Sequence, residues 1–260
     1  MAVAADLHVH TTVSDGTLAP DAVPRAARAA GLDAVAVTDH DRLAPVPDAP
    51  LVQREGVTVV RGIELRVETG DQRVDLLGYA VEPTDALRTE LDRLQADRVA
   101  RARRMVALVE AELSVTLDIG VAPGVGRPHV ARAVADAHPE YDVDRAFAEL
   151  VGDDGPCYVA RDVTGVDRGL ELLRDACEVV SLAHPLRYPD PATALSLAPR
   201  LDAVEVAYPY DGDPDLAPVE RAAAEHGLLA TGGSDAHGEA LGAAGLDREG
   251  WAAVARRLGV

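Results

Sequence analysis

The feature that most constrains this chain is where its acidic and histidine residues fall. Five clusters, DLHVHTTVSDG, VTDHD, GIEL, SLAHP and GGSDAHG, each adjoin a short apolar, strand-like run. That distribution describes a polynuclear metal site assembled from many strand ends.

The first cluster has the clearest geometry. Side chains alternate between the faces of a strand, so His8 and His10, two residues apart, point to the same side and can grip one ion. A bare HxH pair also arises on solvated strands by chance, and the other clusters decide the matter. His40 follows DAVAVT, Glu64 follows VTVVRGI, His184 follows EVVSLA, and Asp235 with His237 follow LLATGGS. Each run has the length and the Val, Leu, Ala and Ile content of a buried parallel strand. Single polar residues at such ends often only start a loop or cap a helix, as Asp21 and Asp190 are expected to do. That explanation fits the set badly, because five of the eight histidines lie at these ends. Neutral imidazole mixed with carboxylate suits Zn, Mn or Fe.

Strand-like runs cover Val3 to His8, Asp33 to Thr38, Val57 to Glu64, Arg73 to Val81, Glu178 to Ala183, Ala203 to Ala207 and Leu228 to Thr231. Helix-like stretches at Pro20 to Ala30, Val166 to Ala176 and Pro214 to His226 lie between several of them. Repeated strand-helix alternation predicts a parallel sheet with helices outside. Ligands at so many strand ends favour its closed, barrel form, with the site over the carboxyl ends of the strands.

The middle of the chain breaks this rhythm. A long helix pattern from Thr84 to Leu113, the Gly-rich DIGVAPGVGRPH and further helix-like stretches predict a helical, lid-like insertion at 84–163. The barrel domain is then 1–83 with 164–260. Interleaved acids make Arg98, Arg101, Arg103 and Arg104 read as a solvated helix face. In GVGRPHVARAV, Pro128 suits a first helical turn, and helix N-termini bind anions, so Arg127 and His129 would flank an anion; RPH also reads as a plain helix start with an exposed Arg.

Composition limits the classes of function. The chain of 260 residues carries 44 acidic and 25 basic side chains, the latter all Arg, for a net charge of −19. Self-repulsion of that size destabilises a compact state unless salt screens it, which points to a salt-loving host. It also argues against duplex DNA binding through a basic face. No apolar run approaches a membrane span, and MAVAADLHVH enters a strand without a basic leader, so a cytoplasmic protein is expected. Cys157 and Cys177 are too few and too far apart for a CxxC zinc site and are expected to be reduced. With aromatics at 3%, the core must be built from Ala, Val and Leu.

DLHVHTTVSDG, TDH, GIE, AHP and GGSDAHG together resemble the motif series of the PHP family, the polymerase and histidinol phosphatase superfamily of metal-dependent phosphoesterases. The similarity covers nearly the whole chain. GRPHVARAV, GPCYV, AHPLRY and VEVAYP further resemble the branch of nucleoside 3',5'-bisphosphate phosphatases, AMP phosphatases and a 5'-to-3' exoribonuclease. The resemblance implies a distorted (β/α) barrel with a small, mainly helical insertion domain, and a trinuclear site. By motif, one ion takes His8, His10, Glu64 and Asp235, a second shares Glu64 and takes His184, and a third takes Asp15, His40 and His237. RVDLLGY departs from the pattern by placing Asp75 where relatives of the branch carry His; Asp75 is expected to ligate the second ion, with a weaker or empty second site as the alternative. Its hard carboxylate favours Mn²⁺ or Mg²⁺ over Zn²⁺, so two or three divalent ions, foremost Mn²⁺, with Mg²⁺, Fe²⁺ and Zn²⁺ as alternatives, are the expected cofactors.

The implied reaction is hydrolysis of nucleotide phosphomonoesters, or of short 5'-phosphorylated RNA, by a water activated between ions that share Glu64. Arg127 and Arg187 would neutralise charge on the phosphoryl oxygens, and His129 would protonate the leaving oxygen. Histidinol-phosphate hydrolysis and a noncatalytic metal-binding module are the alternatives. Asp39, Asp41 and Glu205 read as partners of the ligands or the loops, and His138, His226 and Trp251 as structural.

Overall fold

The computed structural model describes residues 2–260. They divide into two compact units: one comprises the N-terminal segment to Thr89 with Val163–Val260, the other Glu90–Asp162.

The first unit is built on strands β1 (Ala5–Val9), β2 (Ala34–Val37), β3 (Leu51–Arg54), β4 (Val57–Glu68), β5 (Arg73–Tyr79), β6 (Thr164–Gly165), β7 (Val179–Leu182), β8 (Ala203–Ala207) and β9 (Leu229–Gly232). They form one sheet in the order β1-β2-β4-β5-β7-β8-β9, with β3 and β6 added to β4. All seven strands expected from the apolar runs are present. The parallel expectation holds only in part: β4/β5 and β5/β7 pair antiparallel. The reason is local. Only four residues, Thr69 to Gln72, join β4 to β5, far too few for the helical crossover that parallel neighbours need. The short β3 and β6, which pair with β4, carry no long apolar run and were not anticipated.

The sheet curls until its two ends meet. The segment after β9 reaches β1 through the bridge between Val9 and Ala236, and the His10 N–H donates to Ala236 O at 2.9 Å. Buried Asp6 fastens the same seam by accepting from the backbone N–H and hydroxyl of Ser234 and from Gly242 N–H. Gly233 is obligatory here, because a Cβ would collide with the backbone of His8. The result is a distorted (β/α) barrel.

Helices cover the outside. Val23 and Ala27 of α1 (Val23–Ala29) pack on Val35, Val37, Val57 and Val59. Val254 and Leu258 of the C-terminal helix Arg248–Leu258 pack with Ala5, Leu7 and Tyr79, and Trp251 docks against this cluster. The helix Ala217–His226 ends at Gly227 in the left-handed conformation, so His226 is a helix-end residue.

In the second unit, α2 (Asp85–Leu113) from Glu90 onward, α3 (Arg127–Ala137) and a short helix at Val143–Ala146 followed by a π turn surround their own core of Met105, Val109, Val130, Val134, Leu150 and Val151. The sheet contributes no strand to this unit. Among the described residues no helix is long and apolar enough to cross a membrane.

Candidate active site

The expected strand ends converge on Glu64. Its carboxylate lies 3.5 Å from His8 Nε2, 3.4 Å from His10 Nε2, 2.6 Å from His40 Nδ1 and 3.1 Å from His184 Nε2. Asp235 Oδ1 stands 3.0 Å from His10 Nε2 and 3.6 Å from His8 Nε2, while Asp15 Oδ1 stands 3.3 Å from His237 Nε2 and 3.9 Å from His40 Nε2. Eight residues drawn from His8 to His237 thus come together, because neighbouring strands and the loops that follow them converge here.

The supporting geometry is built in. The pairing register slips between Asp6 and Val9 in β1 and between Glu205 and Ala207 in β8, so both strands are irregular where they deliver site residues. Among the described residues, six that are not glycine adopt positive φ, and three of them, Asp41, His184 and Asp235, border the site. Such conformations cost about 1–3 kcal/mol each and persist where surroundings enforce them. Glu205, fully buried, provides enforcement: it accepts from His8 Nδ1 at 3.2 Å and from the backbone N–H of His184 at 2.8 Å. That bond orients the His8 ring with a proton on Nδ1 and turns Nε2 into the cluster. Asp39 has a different role from orienting an imidazole. Its carboxylate accepts from the backbone and hydroxyl groups of Thr11 and Ser14, which shapes the loop that delivers Asp15. Asp41 accepts from the Arg66 N–H at 3.2 Å.

The electrostatics are those of a cation site. Burial would push the Glu64 carboxyl up, yet the imidazoles of His40 and His8 hold it well below the usual carboxylate range. Burial and the neighbouring His40 push His10 down, so that ring resists protonation. The rings of His10 and His237 lie 4.2 Å apart and those of His10 and His40 4.4 Å, a packing that would be repulsive were all of them charged. Among the described residues, His8 Nε2 and His10 Nδ1 are buried without a hydrogen-bond partner. Divalent ions satisfy such donors. Among the described residues, three overlapping groups have ligand atoms within 4.8 Å of one another: His10, Asp15, His40 and His237; His8, His10 and Asp235; His8, Glu64 and His184.

A sequence model of the PHP domain matches residues 6–142, more than half of the chain. The chain belongs to the PHP domain family. It is 29% identical to a 3',5'-nucleoside bisphosphate phosphatase of Chromobacterium violaceum over 89% of this chain and 86% of the relative. It is 26% identical to the 5'-3' exoribonuclease Rnm of Escherichia coli over 91% of this chain and 86% of that one. A crystal structure described as a metal-dependent phosphoesterase from Bifidobacterium adolescentis superposes with a TM-score of 0.83 at 26% identity, covering 99% of this chain and 97% of its own.

Against this PHP background the remaining expected residues sort clearly. Arg187 belongs to the barrel site: its Nη1 donates to Tyr208 OH at 2.7 Å and to Asp235 Oδ2 at 3.1 Å, and Tyr208 donates to the same oxygen at 2.9 Å. Tyr208 was not anticipated, since VAYPY reads as the end of an apolar strand. Asp75 is beside the cluster, 3.9 Å from His184 Nε2, but both of its oxygens accept from Arg66 and it joins none of the three ligand groups.

Arg127 and His129 lie in the second unit. His129 Nδ1 accepts from the Gly126 N–H at 3.1 Å, which places the proton of the neutral ring on Nε2. Arg127 lies over the Phe147 ring at 5.0 Å and bonds Asp153 at 2.8 Å, and both Arg127 and Arg101 face Tyr158. The expected solvated face of α2 is corrected here: Arg103 and Arg104 are exposed, but Arg98 and Arg101 are buried. Burial and the neighbouring cations Arg127 and Arg161 push Arg101 down to about 9. A guanidinium keeps its proton, so Arg101 carries its charge in this buried setting.

Proposed function

We propose that this PHP phosphoesterase hydrolyses substrates that carry more than one phosphate, namely nucleoside 3',5'-bisphosphates or short 5'-phosphorylated RNA. The observation that carries this reading is the barrel cluster, in which overlapping groups of imidazole and carboxylate ligand atoms lie within 4.8 Å of one another and suit a reacting phosphoryl group. The named relatives, a bisphosphate phosphatase and an exoribonuclease, support this choice over histidinol phosphate, which offers one phosphate and a cationic side chain.

Divalent ions, when bound, act as Lewis acids on the phosphoryl oxygens and make water nucleophilic near neutral pH. Two or three are proposed, with Mn²⁺ foremost, because the donor set mixes carboxylates with imidazoles. The chain's own residues do the rest. Glu64 supplies the central carboxylate, and Glu205 fixes the orientation of His8. Arg187, held by Tyr208 and Asp235, neutralises charge on the equatorial oxygens of the reacting phosphoryl group. Arg127, with Arg98 and Arg101, is proposed to bind phosphate. His129 presents an Nε2 proton as a donor to a substrate oxygen.

Phosphate release by Mn²⁺-loaded protein in concentrated salt tests this directly, on adenosine 3',5'-bisphosphate, AMP, histidinol phosphate and a short 5'-phosphorylated RNA, with His8→Ala as control. The bisphosphate or the RNA should be turned over fastest, and the control should be inactive. Preference for histidinol phosphate would overturn the proposal.

A further inference from the structure

Within the barrel, the antiparallel register of β4 and β5 sets Arg66 directly opposite Asp75, and directly paired residues share one face of the sheet. Arg66 also lies two residues beyond Glu64 on β4 and therefore on the same face as Glu64. Strand pairing itself thus carries a guanidinium to the border of the acidic pocket. Arg66 Nε donates to Asp75 Oδ1 at 2.7 Å and Nη2 to Oδ2 at 2.6 Å, a fork that engages both oxygens. The pair is fastened at both ends. The Arg66 N–H donates to Asp41 at 3.2 Å, and the Asp75 N–H donates to Tyr188 OH at 2.7 Å, which in turn donates to Ala183 O at 3.1 Å. Asp75 is 1% exposed, so without Arg66 its charge would be buried and uncompensated.

The oxygen held by Nη2 is also the one nearest the cluster, 3.9 Å from His184 Nε2. An ion held by His8, Glu64 and His184 would meet an Asp75 whose charge is already neutralised and each of whose oxygens already accepts from Arg66, with a fixed positive charge behind it. The group of His10, Asp15, His40 and His237 has four donors, and the group of His8, His10 and Asp235 draws on a separate carboxylate. Neither includes a residue paired with Arg66.

We infer that Arg66 removes Asp75 from the ligand set and stands as a fixed cation beside the His8, Glu64 and His184 position, so that the chain binds two divalent ions tightly and a third weakly and exchangeably. This rests on the metal-centre reading, and its test uses metal content rather than turnover. Arg66 is a positioning residue in this scheme, acting through Asp75.

The experiment is equilibrium dialysis of the full chain against graded free Mn²⁺, with bound metal counted by elemental analysis and folding checked by circular dichroism. The wild type should hold two equivalents at low free metal and take the third only at free Mn²⁺ about 10- to 100-fold higher, the range by which loss of one supporting partner weakens a site. Arg66→Met, which frees Asp75, should tighten the third equivalent toward the first two. The double variant Arg66→Met with Asp75→Asn should return it to the weak range. Three equally tight ions in the wild type would overturn the inference, as would a folded Arg66→Met whose third site is unchanged. Should Arg66→Met not fold, Arg66→Lys keeps the charge but gives up the fork, and it should tighten the third ion by a smaller factor; no tightening overturns the inference. A wild type that takes up no Mn²⁺ overturns the metal centre itself, and this inference with it.

Discussion

The barrel and the insertion each bury charge of predominantly one kind, but they do so by different means. In the barrel, Glu64, Asp15 and Asp235 are held ionised by surrounding imidazoles, and Glu205, Asp39 and Asp6 brace the ligands and loops through hydrogen bonds. In the insertion, Arg98, Arg101, Arg127 and Arg161 crowd together, steadied by aromatic faces and backbone carbonyls. One cluster is stabilised by cations and the other by anions.

The comparison breaks most severely at Glu64. Glu64→Gln keeps the shape but removes the charge shared by four imidazoles, so both metal content and turnover should fall by more than the roughly 10- to 100-fold that loss of an outer partner costs. Elemental analysis and phosphate release measure the two effects, and retained metal would show that Glu64 is not central. Glu205→Gln is the next test in size. It leaves His8 in place but weakens the bond that orients its ring, so Mn²⁺ affinity should drop by about 10-fold while the fold is kept. Unchanged affinity would mean that β8 contributes only packing.

Arg101→Met probes the opposite cluster. Relief of crowding among the guanidinium groups should raise the Tm of the substrate-free protein, and loss of one phosphate donor should raise KM by about 10-fold with kcat little changed, the signature of lost ground-state binding. A lower Tm with unaltered KM would make these arginines structural.

Why the two clusters differed so much in legibility follows from their scaffolds. A buried strand is a visible apolar run, and a polar residue at its end stands out, so His8, His10, His40, Glu64, His184, Asp235 and His237 could be picked from local pattern alone. Asp15 and Asp75 could not, because a loop residue and a mid-strand carboxylate look ordinary; only the motif resemblance pointed to them. Even then, the partner of Asp75 was hidden. Arg66 is reached through the register between two strands, which no local pattern encodes. The insertion hid its arginines in another way. Acids interleave with Arg98 and Arg101 along α2, which is the pattern of a solvated helix, and only packing against Val159 and Tyr158 shows which arginines turn inward.

Salt separates surface charge from the two buried clusters and gives the smallest effect. At a net charge of −19 the exposed acids repel one another, and raising KCl from 0.1 M to 1 M shortens the Debye length from about 10 Å to about 3 Å. Stability should therefore rise, and each 1 kcal/mol of relieved repulsion would appear as roughly 2–4 °C in Tm. The clusters respond differently, because buried pairs are screened far less than exposed ones. Arg101 at 6% exposure and Glu64 at 1% lie where mobile ions hardly reach, so KM for a bisphosphate should change by no more than about 3-fold over the same range. A KM that climbs steeply with salt while Tm stays flat would reverse the assignment: binding would then run through exposed charge, and the acidic surface would carry no adaptation to salt.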